Sequence, residues 1–106
     1  MSIGLIVAAD EPAILFSNVE SAERWMEPVD VLDGIYTAAY GSGGELYLVE
    51  TDGIRVAITR APDEPDRPEE LRALLLRYFE ALGKPAGTDE TLPPMLARCR
   101  PTYVGS

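Results

Sequence analysis

The side chains best placed to act together are five carboxylates, Glu20, Glu23, Glu27, Asp30 and Asp33. Glu20, Glu23 and Glu27 are three and four residues apart, which puts them on one stripe of a helix. Only Arg24 is close enough in sequence to relieve their repulsion. Such a stripe suits docking against a basic surface better than it suits acid–base chemistry. The chain has no histidine, which removes the commonest general base and metal ligand and every Ser-His or Cys-His pair. Cys99 stands between Arg98 and Arg100, a setting that lowers a thiol pKa, but a lone cysteine reads first as a small apolar residue. Gly41-Ser42-Gly43-Gly44 lacks the lysine and following helix of a phosphate loop and reads as a turn. Asp63, Glu64, Asp66, Glu69 and Glu70 lack the alternating ligand spacing and central glycine of a calcium loop. They read as solvated loop and helix-start charges. We therefore expect no enzyme, no cofactor and no metal.

Charge narrows the partner. The formal net charge is −9, and both nucleic acid and anionic membranes require a basic face, so neither is expected as a partner. Residues 1–60 hold ten acids (Asp10, Glu11, Glu20, Glu23, Glu27, Asp30, Asp33, Glu45, Glu50 and Asp52) against Arg24, Arg55 and Arg60. An acidic half of this kind steers a basic protein at long range. The 106 residues, 46% of them hydrophobic, fit a single domain spanning 1–106. No run approaches the roughly 18 apolar residues of a membrane span. Ile3 to Ala9 reads as a strand and not as a signal peptide. One cysteine permits no internal disulfide, and the expected compartment is the cytoplasm.

The elements that must position these groups follow from periodicity. Ala13 to Phe16 reads as a strand. Ser17 and Glu20 have capping-box spacing, so a helix is expected from about Asn18 to Glu27, where Pro28 ends it. Val19, Ala22, Trp25 and Met26 share its core-facing stripe, and Trp25 is expected in the core. Residues 29–34 read as a turn into the sheet. Asp52-Gly53 predicts a two-residue hairpin pairing Val49 with Val56 and Tyr47 with Ile58. A two- or four-residue glycine turn sets Tyr36 beside Val49 and Ala38 beside Tyr47. A three-residue turn would flip that first strand. Tyr40, next to the glycines, is expected at the surface as an interaction residue. Leu71, Leu74, Leu75, Tyr78, Phe79 and Leu82 keep the helical period, with Asp66 as cap, Pro68 in the first turn and Gly83 as the stop. A short helix is expected near Met95 to Cys99. The fold class is α+β, a sheet of about four mostly antiparallel strands with helices packed on one face.

The run from Val19 to Val31, followed by Gly34-Ile35-Tyr36 and the Gly41–Leu46 turn, resembles small bacterial immunity-type and uncharacterised proteins that accompany secreted polymorphic toxins. The resemblance covers residues about 16 to 60 and brings no catalytic residues. It implies a non-catalytic, immunity-like inhibitor that masks a basic surface of a toxin. A small acidic secretion-type chaperone or adaptor is the alternative, signalled by an exposed patch around Leu46, Leu48 and Ala57. A ligand-binding domain would need a pocket lined by convergent polar groups.

Overall fold

A four-residue apolar strand with both faces buried needs a covering layer on each side. β1 (Leu5–Ala8) is such a strand, with Leu5, Ile6 and Val7 fully buried. In the computed structural model, which describes residues 3–9, 12–84, 87 and 90–102, β1 lies inside a five-stranded sheet. The sheet comprises β1, β2 (Ala13–Phe16), β3 (Ala38–Tyr40), β4 (Leu46–Thr51) and β5 (Val56–Arg60). Its order is β2-β1-β3-β4-β5, and every neighbouring pair is antiparallel. Among the described residues four helices accompany the sheet: α1 (Val19–Trp25), α2 (Pro28–Leu32), α3 (Pro68–Ala81) and α4 (Leu92–Ala97). The class is α+β, as expected. Asp10, Glu11, the segment joining α3 to α4 in part, and residues 103–106 lie outside the described residues.

Helices cover both faces of the sheet, not one. Ile6, Leu15 and Tyr40 pack with Leu71, Leu74, Leu75 and Phe79 of α3 and with Met95 of α4. Leu5, Val7, Phe16, Val56 and Ile58 pack with Ala22 and Met26 of α1 on the other side. The cause is visible in β1 and β2, whose consecutive residues are all apolar. Neither face of those strands can be left to water.

Both hairpin registers differ from expectation, with opposite consequences. In β4–β5, Val49 pairs with Ile58 and Thr51 with Val56, so the turn has four residues, Asp52 to Arg55. Asp52 Oδ1 accepts from the N–H groups of Ile54 (2.8 Å) and Arg55 (2.9 Å), which wins over the two-residue Asp-Gly turn. The slip is even, so Tyr47, Val49, Val56 and Ile58 keep their shared face, while Ile54 leaves it and is 82% exposed. In β3–β4, Ala39 pairs with Tyr47 and Tyr40 with Leu46, and Gly41 N–H bonds Glu45 O at 2.8 Å. The turn is therefore Ser42-Gly43-Gly44, and the odd slip reverses the faces of β3. Gly44 is required twice: its φ is +91°, and an added Cβ would meet the Pro68 nitrogen at 2.5 Å.

Both sheet edges are covered in part. Along β2, Leu15 N–H donates to Thr102 Oγ1 (2.9 Å) and Thr102 N–H donates to Leu15 O (2.7 Å). Along β5, the N–H of Ile58 donates to Glu23 Oε2 at 2.7 Å.

Candidate functional site: the acidic surface of α1 and α2

α1 begins at Asn18, whose Oδ1 accepts from Ser21 N–H at 2.8 Å. Asparagine, not Ser17, is therefore the cap. Met26 closes the helix with its N–H on Ala22 O (2.9 Å), and Pro28 then opens α2 at once. Residues 29–34, expected as a turn, mostly form this short helix. It ends in a Schellman motif: Gly34, at φ +73°, donates to Val31 O (3.1 Å), and Ile35 donates to Asp30 O (3.2 Å). Pro28 and Gly34 were the sequence signals for α2, and its five residues are too few for a periodic pattern.

The two helices place the expected interaction residues differently. Glu20, Glu27 and Asp33 are exposed, and Asp30 is half-buried. Glu23 is half-buried and its carboxylate holds the outer edge of β5, so it belongs to the fold more than to the surface. Tyr40 is overturned as a surface residue. It is 6% exposed and lies under α3, because the three-residue turn reversed β3. Its hydroxyl donates to Glu70 Oε1 at 3.1 Å. Burial, reinforced by that carboxylate, raises its pKa above the usual tyrosine value.

Apolar residues missing from the expected set join the acids. Trp25 is 37% exposed, Val29 53% and Leu32 69%. Trp25 packs on Phe16 (ring centroids 5.7 Å apart, planes tilted 54°) and also reaches solvent, so it is not a core residue. Val29 and Leu32 are three apart on α2 and share a stripe, as do Asp30 and Asp33 beside them. No residue of α2 is buried.

Among the described residues this surface forms no ion pair, although Arg24 stands in the last turn of α1. Among the described residues, the ion pairs are Arg60–Asp66, Arg67–Glu64, Arg67–Glu70 and Arg98–Glu90, all at or beyond β5. None involves Glu20, Glu23, Glu27, Asp30 or Asp33. Asp33 also caps the C-terminus of α2, where the helix dipole disfavours a negative charge and no basic residue occupies the last turn. Among the described residues no group of three or more acidic or cysteine side chains is arranged to hold a metal ion. No helix among them is long and apolar enough to cross a membrane. Comparison with protein-family models, with curated proteins and with solved structures returned no match for this chain.

Proposed function

We propose that the chain is a non-catalytic protein-binding module, an immunity-like inhibitor whose α1–α2 surface masks a basic surface of a toxin protein. One observation carries the reading: Glu20, Glu27, Asp30 and Asp33 have no ion-pair partner among the described residues and share the α1–α2 segment with Trp25, Val29 and Leu32, which reach solvent. Exposed apolar residues interspersed with acidic ones match the anatomy of a protein interface, where aromatic residues supply affinity and the charges supply steering. A basic partner would relieve the repulsion on docking.

The test is capture of a partner from the cells that make the chain, at low and at high salt. The reading expects a basic protein that is lost at high salt and lost again when Glu20, Glu27 and Asp33 are changed to lysine. Undiminished capture by the charge-reversed variant overturns it.

A chaperone-like reading draws support from one place. Leu48 (43% exposed) and the exposed Ala57 lie on the face of β4–β5 that α3 leaves open. Leu46, however, packs against the α3 cluster, and Glu50 and Thr59 interrupt what remains. Polar side chains therefore break up the continuous apolar patch that reading needs.

A further inference from the structure

A recess lies on the opposite face of the sheet from α1 and α2. α3 ends in its own Schellman motif, with Gly83 at φ +75° donating to Glu80 O (3.0 Å) and Lys84 N–H donating to Phe79 O (3.0 Å). This turn sets Lys84 immediately beyond Phe79. At the end of α4, Arg98 N–H bonds Met95 O (3.2 Å) and Cys99 N–H bonds Leu96 O (3.0 Å), which turns Arg98 to Arg100 back toward α3. A cavity of about 350 Å³ separates the two helix ends. Tyr78, Phe79, Leu82 and Cys99 form its apolar floor, and Lys84, Arg98 and Arg100 form its rim.

The rim is the reverse of the chain as a whole. The net charge is −9, yet among the described residues every charged one lining this cavity is a cation. Arg98 is already held, its guanidinium 4.8 Å from the Phe79 ring centroid and 2.5 Å from Glu90 Oε2. Lys84 and Arg100 are exposed and have no ion-pair partner among the described residues. The volume sits at the small end of the range of about 300–1,000 Å³ typical of small-molecule sites.

We propose that this recess binds a small apolar carboxylate, with its hydrocarbon body on the Phe79–Leu82 floor and its carboxylate between Lys84 and Arg100. An anion there gains charge-assisted hydrogen bonds, and its apolar end leaves water. The site shares no residue with the α1–α2 surface and stands independently of the inhibitor role.

Octanoate titrated into the ¹⁵N-labelled full chain tests the proposal by amide chemical shifts, with octanamide and octylammonium as neutral and cationic controls. Octanoate is expected to give saturable shifts at Lys84, Arg98, Cys99 and Arg100 and none in α1. Octanamide should bind at least about tenfold more weakly, and octylammonium should not bind. Lys84→Gln with Arg100→Gln should weaken octanoate about tenfold or more at unchanged melting temperature. Leu82→Ala, at a half-exposed position, should weaken octanoate and octanamide alike. Three results each overturn the proposal: no saturable shift up to about 5 mM, equal affinity for octanoate and octylammonium, or octanoate binding unaffected by the double substitution.

Discussion

The two helical layers on this sheet differ in how many of their carboxylates are paired. On the α3 side, Arg67 pairs with Glu64 at 2.9 Å and Glu70 at 3.1 Å, and Arg60 reaches Asp66 at 3.2 Å. Of the five acids between Asp63 and Glu70, Arg60 and Arg67 thus hold Glu64, Asp66 and Glu70, while Asp63 and Glu69 have no ion pair among the described residues. Glu70 gains a further donor in Tyr40, and Arg67 foremost with Tyr40 holds its carboxyl below the usual range. On the α1–α2 side, Glu20, Glu27 and Asp33, which are exposed, and the half-buried Asp30 have no such partner among the described residues and share their segment with exposed Trp25, Val29 and Leu32. The same chain therefore has the means to neutralise acids and uses them on one layer only. An acidic surface that exists for solubility alone gains nothing from setting its unpaired charges on the same segment as exposed apolar side chains.

This contrast can be broken most severely through the α3 layer. Leu75 is fully buried, and Leu75→Ala should cost about 2–5 kcal/mol in urea denaturation. Leu32→Ala on α2, 69% exposed, should change stability by no more than about 0.5 kcal/mol. A similar loss from both would mean that α2 is as deeply built into the core as α3. Gly44→Ala comes next. Its positive φ and its contact with the backbone of Pro68 predict a loss of about 2 kcal/mol or more by the same measurement.

Within the acidic layer the comparison sharpens to single residues. Glu23→Ala leaves the edge N–H of Ile58 without its charged acceptor and should cost about 1–3 kcal/mol. Glu20→Ala should stay within about 0.5 kcal/mol, and Asp33→Asn should stabilise by a few tenths of a kcal/mol, because it removes a charge from a helix C-terminus. Equal losses at Glu23 and Glu20 would erase the division between a structural and a surface glutamate.

The smallest effect concerns pH. Burial pushes the Cys99 thiol up to about 11, against the opposing pull of Arg98. A pKa raised by folding contributes stability below the ordinary thiol value, and that contribution is lost as pH rises through about 11. The native protein should therefore resist iodoacetamide at pH 9, while the urea-unfolded chain reacts. Equal alkylation of both states would contradict the burial of Cys99.

The α3 helix and the apolar strands β1 and β2 were legible because each element's own pattern determines it. Leu71, Leu74, Leu75 and Phe79 are buried at the spacing that announces them. Asp66 was read as the α3 cap, but its carboxylate pairs with Arg60 and no side chain caps that helix. Tyr40 is buried although it adjoins a glycine turn, because that turn seats against the backbone of Pro68 and α3 covers the sheet face Tyr40 occupies, neither of which local pattern reveals. Glu23 was indistinguishable from Glu20 in sequence, since its partner Ile58 lies thirty-five positions away and meets it only once the sheet exists. Val29 and Leu32 went unread with α2. Of the acidic site, then, the charges could be read from the chain, while the apolar residues beside them and the exclusion of Glu23 and Tyr40 required the fold.

The most direct measurement changes Glu20, Glu27 and Asp33 together to lysine and follows both the melting temperature at low salt and the affinity for the captured partner. Carboxylates kept for recognition predict a melting temperature that holds or rises while affinity falls at least about tenfold. A melting temperature that drops while affinity is unchanged would show that these charges serve the fold and not a partner.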